Sequence, residues 1–106
     1  MAVKIAGTEW DDDNLSHIEG EHGERDISRD DVDEVLFSTF APARAIRIQT
    51  VSGETRCVVH GRTCDGRFLQ VVTVPKPNDF HRPIHARDLE DDEAESYLGW
   101  RRTIKR

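Results

Sequence analysis

The chain has 106 residues, of which 36% are apolar and 34% charged, and its formal net charge is −6. That length fits a single domain spanning residues 1–106, with a core that needs no disulfide or metal staple. Two cysteines, Cys57 and Cys64, exclude a disulfide scaffold and match no zinc spacing. Met1 to Thr8 carry no signal-peptide run, and nothing later approaches the roughly 20 apolar residues of a membrane span, so a reduced cytoplasmic protein is expected.

Val3-Lys4-Ile5-Ala6 reads as a short strand or an unstructured start. Asp11 is the expected N-cap of a first short helix, with Asp12 and Asp13 complementing its dipole. Trp10 and Leu15 fall at the positions of a hydrophobic staple, Leu15 and Ile18 share one face, and Gly20 or Gly23 ends the helix. Ser28 is the next N-cap, and Val32, Val35 and Leu36 recur at the spacing of an amphipathic helix. From Arg44 onward the period becomes that of strands: Arg44 to Thr50, Thr55 to Thr63, Arg67 to Val74 and Phe80 to Arg87.

Ser52-Gly53, Asp65-Gly66 and Pro75-Lys76-Pro77-Asn78 mark the turns between them. Asp65-Gly66 reads as a two-residue type I′ turn. That register groups Cys57, Val59, Gly61 and Thr63 with Val74, Val72, Gln70 and Phe68, and puts Arg56, His60 and Arg62 beside Val71 and Leu69. Asp88 or a neighbour caps a last helix beginning at Leu89, with Tyr97 and Leu98 available to dock on the sheet. The expected class is α+β: two N-terminal helices, an antiparallel four-stranded meander and a C-terminal helix.

Charge is unevenly spread. Residues 1–40 carry −9, residues 41–87 carry +5, and residues 88–106 carry −2. With a Debye length of about 8 Å at physiological salt, distant acids do not cancel a locally basic sheet at phosphate-contact range.

The order of motifs resembles the BrnT family of bacterial toxins. Trp10-Asp11, Asn14, His17 and His22-Gly23 are similar to its N-terminal signature. Glu54-Thr55-Arg56, Gly61-Arg62, Asp65-Gly66-Arg67 and Leu69 resemble its acid–arginine strand and Gly-Arg hairpin. Arg82-Pro83-Ile84-His85-Ala86-Arg87 resembles its arginine-rich last strand, and Glu93 and Tyr97 follow at the family's spacing. The resemblance covers residues 9–98 and departs at His85, where the family has a small polar residue, and at Asp88. It implies a RelE-like ribonuclease fold and a metal-independent endoribonuclease acting on mRNA. It also implies a ribbon-helix-helix antitoxin partner, in a toxin–antitoxin heterotetramer or beside a toxin homodimer.

Cleaving RNA without a metal requires removing a proton from the 2′-OH, stabilising a pentacovalent phosphate and protonating the 5′-oxygen. Arginine suits the phosphate, because its fork donates two parallel hydrogen bonds and stays charged. Arg56 and Arg87 are the leading candidates; Arg62, Arg67 and Arg82 are RNA-binding candidates. His60 and His85 are candidates for proton transfer, with Glu54 and Tyr97 as alternatives and Glu93 as a more distant one. His17 and His22, near a helix end, read as capping or backbone-bonding residues. His81 and His85 stand about 13 Å apart on an extended strand, and His17 and His22 diverge on a helix. Neither is a preformed metal pair, and no cofactor is expected. A non-catalytic interaction module on the same fold is the competing reading, favoured by the acidic balance.

Overall fold

In the computed structural model, which describes residues 5–20, 26–37 and 42–104, the chain is an α+β protein with three α-helices and one five-stranded mixed sheet. In chain order these are β1 (Gly7–Thr8), α1 (Asp12–Glu19), α2 (Arg29–Phe37), β2 (Arg44–Val51), β3 (Glu54–Arg62), β4 (Phe68–Pro75), β5 (Phe80–Asp88) and α3 (Asp91–Thr103). Val3, Lys4, His22, Gly23, Lys105 and Arg106 lie outside the described residues.

The expected meander is present as β2 to β5, but the sheet does not stop there. β1 adds a fifth strand, parallel to β5, with Gly7 opposite Phe80 and Thr8 opposite His81, so the sheet is mixed. Two residues give no alternation for a sequence to display. The described early strand is Gly7–Thr8; of the Val3–Ala6 segment only Ile5 and Ala6 are described, and they precede it.

The hairpins correct the predicted register. Ser52 and Gly53 both have positive φ, 51° and 82°, and join β2 to β3 with Val51 opposite Glu54. That is the signature of a type I′ turn, placed one hairpin earlier than expected. At Asp65-Gly66 the Gly66 N–H donates to the Thr63 carbonyl at 3.0 Å and the Thr63 N–H to the Arg67 carbonyl at 2.8 Å. Gly66 has φ 94°, so the loop is Cys64-Asp65-Gly66, a tight turn closed by a left-handed glycine. One extra loop residue moves the register by one and exchanges the faces. Cys57, Val59 and Gly61 share a face with Thr73, Val71 and Leu69, whereas Arg56, His60 and Arg62 share theirs with Val72, Gln70 and Phe68.

The first of these faces is the core side. Asp11 caps α1 by accepting from the Asp13 and Asn14 amides, while the Asn14 side chain accepts from the Asp11 N–H. Gly20 ends the helix with φ 87°. Trp10 turns toward α2, donating to Thr8 and Asp33, with Arg29 over its ring. Ser28 and Asp31 cap α2 reciprocally, and Val32, Val35 and Leu36 are buried. They form one cluster with Ile18, Ile27, Cys57, Val59, Leu69, Val71 and Ala86. α2 comes close to β3 at Gly61, where a Cβ would stand 2.6 Å from a Val35 γ-methyl.

The opposite face is covered at one end by α3. Its N-cap is Glu90, a near neighbour of Asp88; the Glu90 N–H donates to Glu93 at 2.8 Å, while Asp88 itself pairs with Arg67. Tyr97, only 1% exposed, packs edge-on to Phe68 and beside Trp100, and donates its hydroxyl hydrogen to the Pro42 carbonyl at 3.0 Å. No described helix is long and apolar enough to cross a membrane.

Candidate functional site

Beyond α3 the same sheet face opens into a cleft of about 500 Å³. A β-bulge shapes its floor. Val72 lies opposite His85 and Thr73 opposite Pro83, so Ile84 is the extra residue on β5. Adjacent strand residues ordinarily point to opposite faces, but a bulge re-aims them, and here Ile84 and His85 both line the cleft. Pro83, which can donate nothing to a ladder, sits at this irregularity, and its carbonyl accepts from the Asn14 amide at 2.8 Å. That bond holds α1 along the β5 edge and turns Asp13 and His17 into the cleft.

Glu54 and Arg56 come in from β3, Gln49 from β2, Val72 from β4 and Arg82 from β5. The Arg56 Nε–H donates to Glu54 at 3.0 Å, and Arg56 keeps about a third of its side chain in solvent (31%). Arg82 donates to both Asp11 carboxylate oxygens, at 2.6 and 3.1 Å, and to Glu9 at 3.4 Å. The Asp11 carboxyl is held at about 2 by this guanidinium and by the capping amides. His17 and His85 face each other with ring centroids 6.3 Å apart and planes inclined at 52°.

Under α3 lies a second polar set. His60 Nε2–H donates to Gln70 Oε1 at 3.0 Å, and the same oxygen accepts from Arg87 at 3.1 Å. Arg87 also forks onto Glu93, at 2.8 and 2.9 Å, and holds that carboxyl at about 2. Burial lowers the His60 pKa and raises that of Tyr97. A recess of about 280 Å³ between β2 and α3 exposes part of this set beside Arg44, Ser96 and Asp92.

The sequence candidates therefore divide. Glu54, Arg56, Arg82 and His85 share the cleft; His60 and Arg87 sit under α3, which itself carries Tyr97. Arg62 stacks on Phe68. Arg67 ties Asp88 to Asp26 and Asp31, joining the sheet to α2. His17, read from sequence as a capping or backbone-bonding residue, lines the cleft. Proline inside a strand was the one available sign of the bulge that brings His85 to meet it. Among the described residues no three His, Cys, Asp or Glu side chains are placed to hold a metal ion. No family model, curated protein or solved structure matches the chain.

Two outcomes follow from the ion pairs and the buried histidines. Arg87→Ala removes the fork onto Glu93 and one of the two donors to Gln70, and is expected to lower stability by about 1 kcal/mol in urea titrations; unchanged stability would mean that the fork does not hold α3. The pH profile follows from protons bound. Burial depresses the pKa values of His60 and His81, so the unfolded chain takes up protons that the folded one refuses, and stability falls as pH drops below about 6.5. Asp11 and Glu93, held at about 2 against ordinary values of 3.8 and 4.5, add a further loss from the unfolded value down to 2. The urea midpoint is expected to decline from pH 7 through pH 5 to pH 3; a rise over that range would contradict this assignment.

Proposed function

We propose that the chain is a metal-independent endoribonuclease of the BrnT type, the toxin of a two-protein system, acting on RNA in the cytoplasm. The observation that carries this reading is the company Arg56 keeps: one open cleft joins its guanidinium, the Glu54 carboxylate and two imidazoles. Those are the group types that phosphodiester cleavage requires. Arg56 is half-free: its fork can leave Glu54 for a phosphate, because an exposed ion pair contributes little to stability. Arg82 is committed more firmly to Asp11 and shapes the rim.

The antitoxin in this reading is a ribbon-helix-helix protein that covers the cleft. Induced expression of the chain is expected to arrest growth, Arg56→Ala to relieve the arrest, and a ribbon-helix-helix protein encoded beside it to restore growth. Growth unaffected by the intact protein, with RNA left whole, overturns the proposal. A second reading, a non-catalytic protein-interaction module, draws on a specific observation: Arg67, Arg82 and Arg87 are each paired with carboxylates of the chain itself. Under it, a partner would bind the cleft face with no loss of RNA.

A further inference from the structure

The geometry points to His17 and His85 as the proton-transfer pair of the cleft, one removing the 2′-OH proton and the other delivering a proton to the leaving 5′-oxygen. This rests on the ribonuclease reading and goes beyond it, since no motif joins these two residues. They come from α1 and β5, 68 positions apart in sequence, and meet only because Asn14 docks α1 on the Pro83 carbonyl and the bulge turns His85 inward.

Their separation fits the task. At 6.3 Å between ring centroids the planes are inclined, not stacked. The rings stand too close to enclose a phosphoryl group between them, but hydrogen bonds of about 2.8 Å from each reach a phosphodiester lying across both ring edges. Histidine is the side chain that exchanges protons near neutrality. The charged groups facing the pair are Asp13 on α1, Glu54 and Arg56 on β3, and Arg82 on β5, while β2 and β4 contribute the uncharged Gln49 and Val72. Arg56 is placed to carry the phosphate charge while the imidazoles carry protons.

The step balances. The 2′-oxygen forms a bond to phosphorus as the neutral imidazole takes its proton, and the phosphorus–5′-oxygen bond breaks as the imidazolium protonates the departing oxygen. The products are a 2′,3′-cyclic phosphate and a 5′-hydroxyl end, and solvent exchange restores the two rings.

The test is the pH dependence of RNA cleavage by the full chain, with His17→Gln and His85→Gln beside it. Wild type is expected to give a bell-shaped kcat/KM profile. Each variant is expected to lose about 10²–10⁴-fold and one limb of the bell, and the limb lost identifies acid and base. NMR of the imidazole protons with cytidine 3′-monophosphate checks the intact protein without turnover: His17 and His85 resonances shift and those of buried His81 do not. Variants that keep cleavage within about threefold, or a response at His60 in place of the pair, overturn the pair and leave the ribonuclease reading standing. Wild-type protein that leaves RNA whole overturns both. Circular dichroism of the variants separates lost chemistry from lost structure.

Discussion

Arg56→Ala is expected to lower RNA cleavage about 10²–10³-fold, the usual effect of removing one donor from a site that stabilises developing charge. The fold should survive. Arg56 is partly exposed, pairs with exposed Glu54, and lies outside the buried cluster, so the change in stability should stay within about 0.5 kcal/mol. Arg56→Lys keeps the charge but loses the planar fork, and is expected to recover only part of the rate. Paired measurements of cleavage and urea stability make this specific. Arg87→Ala should lose stability, whereas Arg56→Ala should lose chemistry. The reverse pattern would move the site to the α3 end of the sheet.

Gly61→Ala is expected to be the more disruptive change to the fold. The added methyl would stand 2.6 Å from a Val35 γ-carbon and 3.2 Å from the Val35 carbonyl oxygen. Val35 is fully buried, at 0% exposure, and its branched side chain has little freedom to retreat. Either α2 lifts from β3 or the methyl is accommodated by strain, at a cost of about 1–3 kcal/mol. For a domain of this size that corresponds to a melting temperature lower by about 5–20 °C. Val35→Ala in the same chain should recover part of the loss, because the two residues compete for one space. A Gly61→Ala protein melting with wild type would contradict the close approach of α2 to the sheet.

The same contact shows what sequence could and could not display. Helix caps were legible because Asp11 and Ser28 each stand one turn before the first apolar residue, Leu15 and Val32, with acidic residues in the turn between. The strands were legible from alternation and from turn residues. Register was not, because Asp65-Gly66 fits a two-residue and a three-residue loop equally well. One residue of slip then exchanged the faces of Val71 and Val72. β1 is too short to show a period. The site was half-visible: Glu54-Arg56 is a local motif two residues long in span, whereas His17 and His85 meet through tertiary packing and a bulge. Arg87 looked equal to Arg56 in sequence, since nothing local reveals that Glu93 reaches back from α3 to hold it.

The most direct measurement is cleavage of an end-labelled RNA by purified protein in the presence of a metal chelator, with Arg56→Ala as the comparison. The proposed site predicts fragments ending in 2′,3′-cyclic phosphate from wild type, and none above background from the variant. Intact RNA with folded wild-type protein, or equal cutting by both proteins, would contradict it.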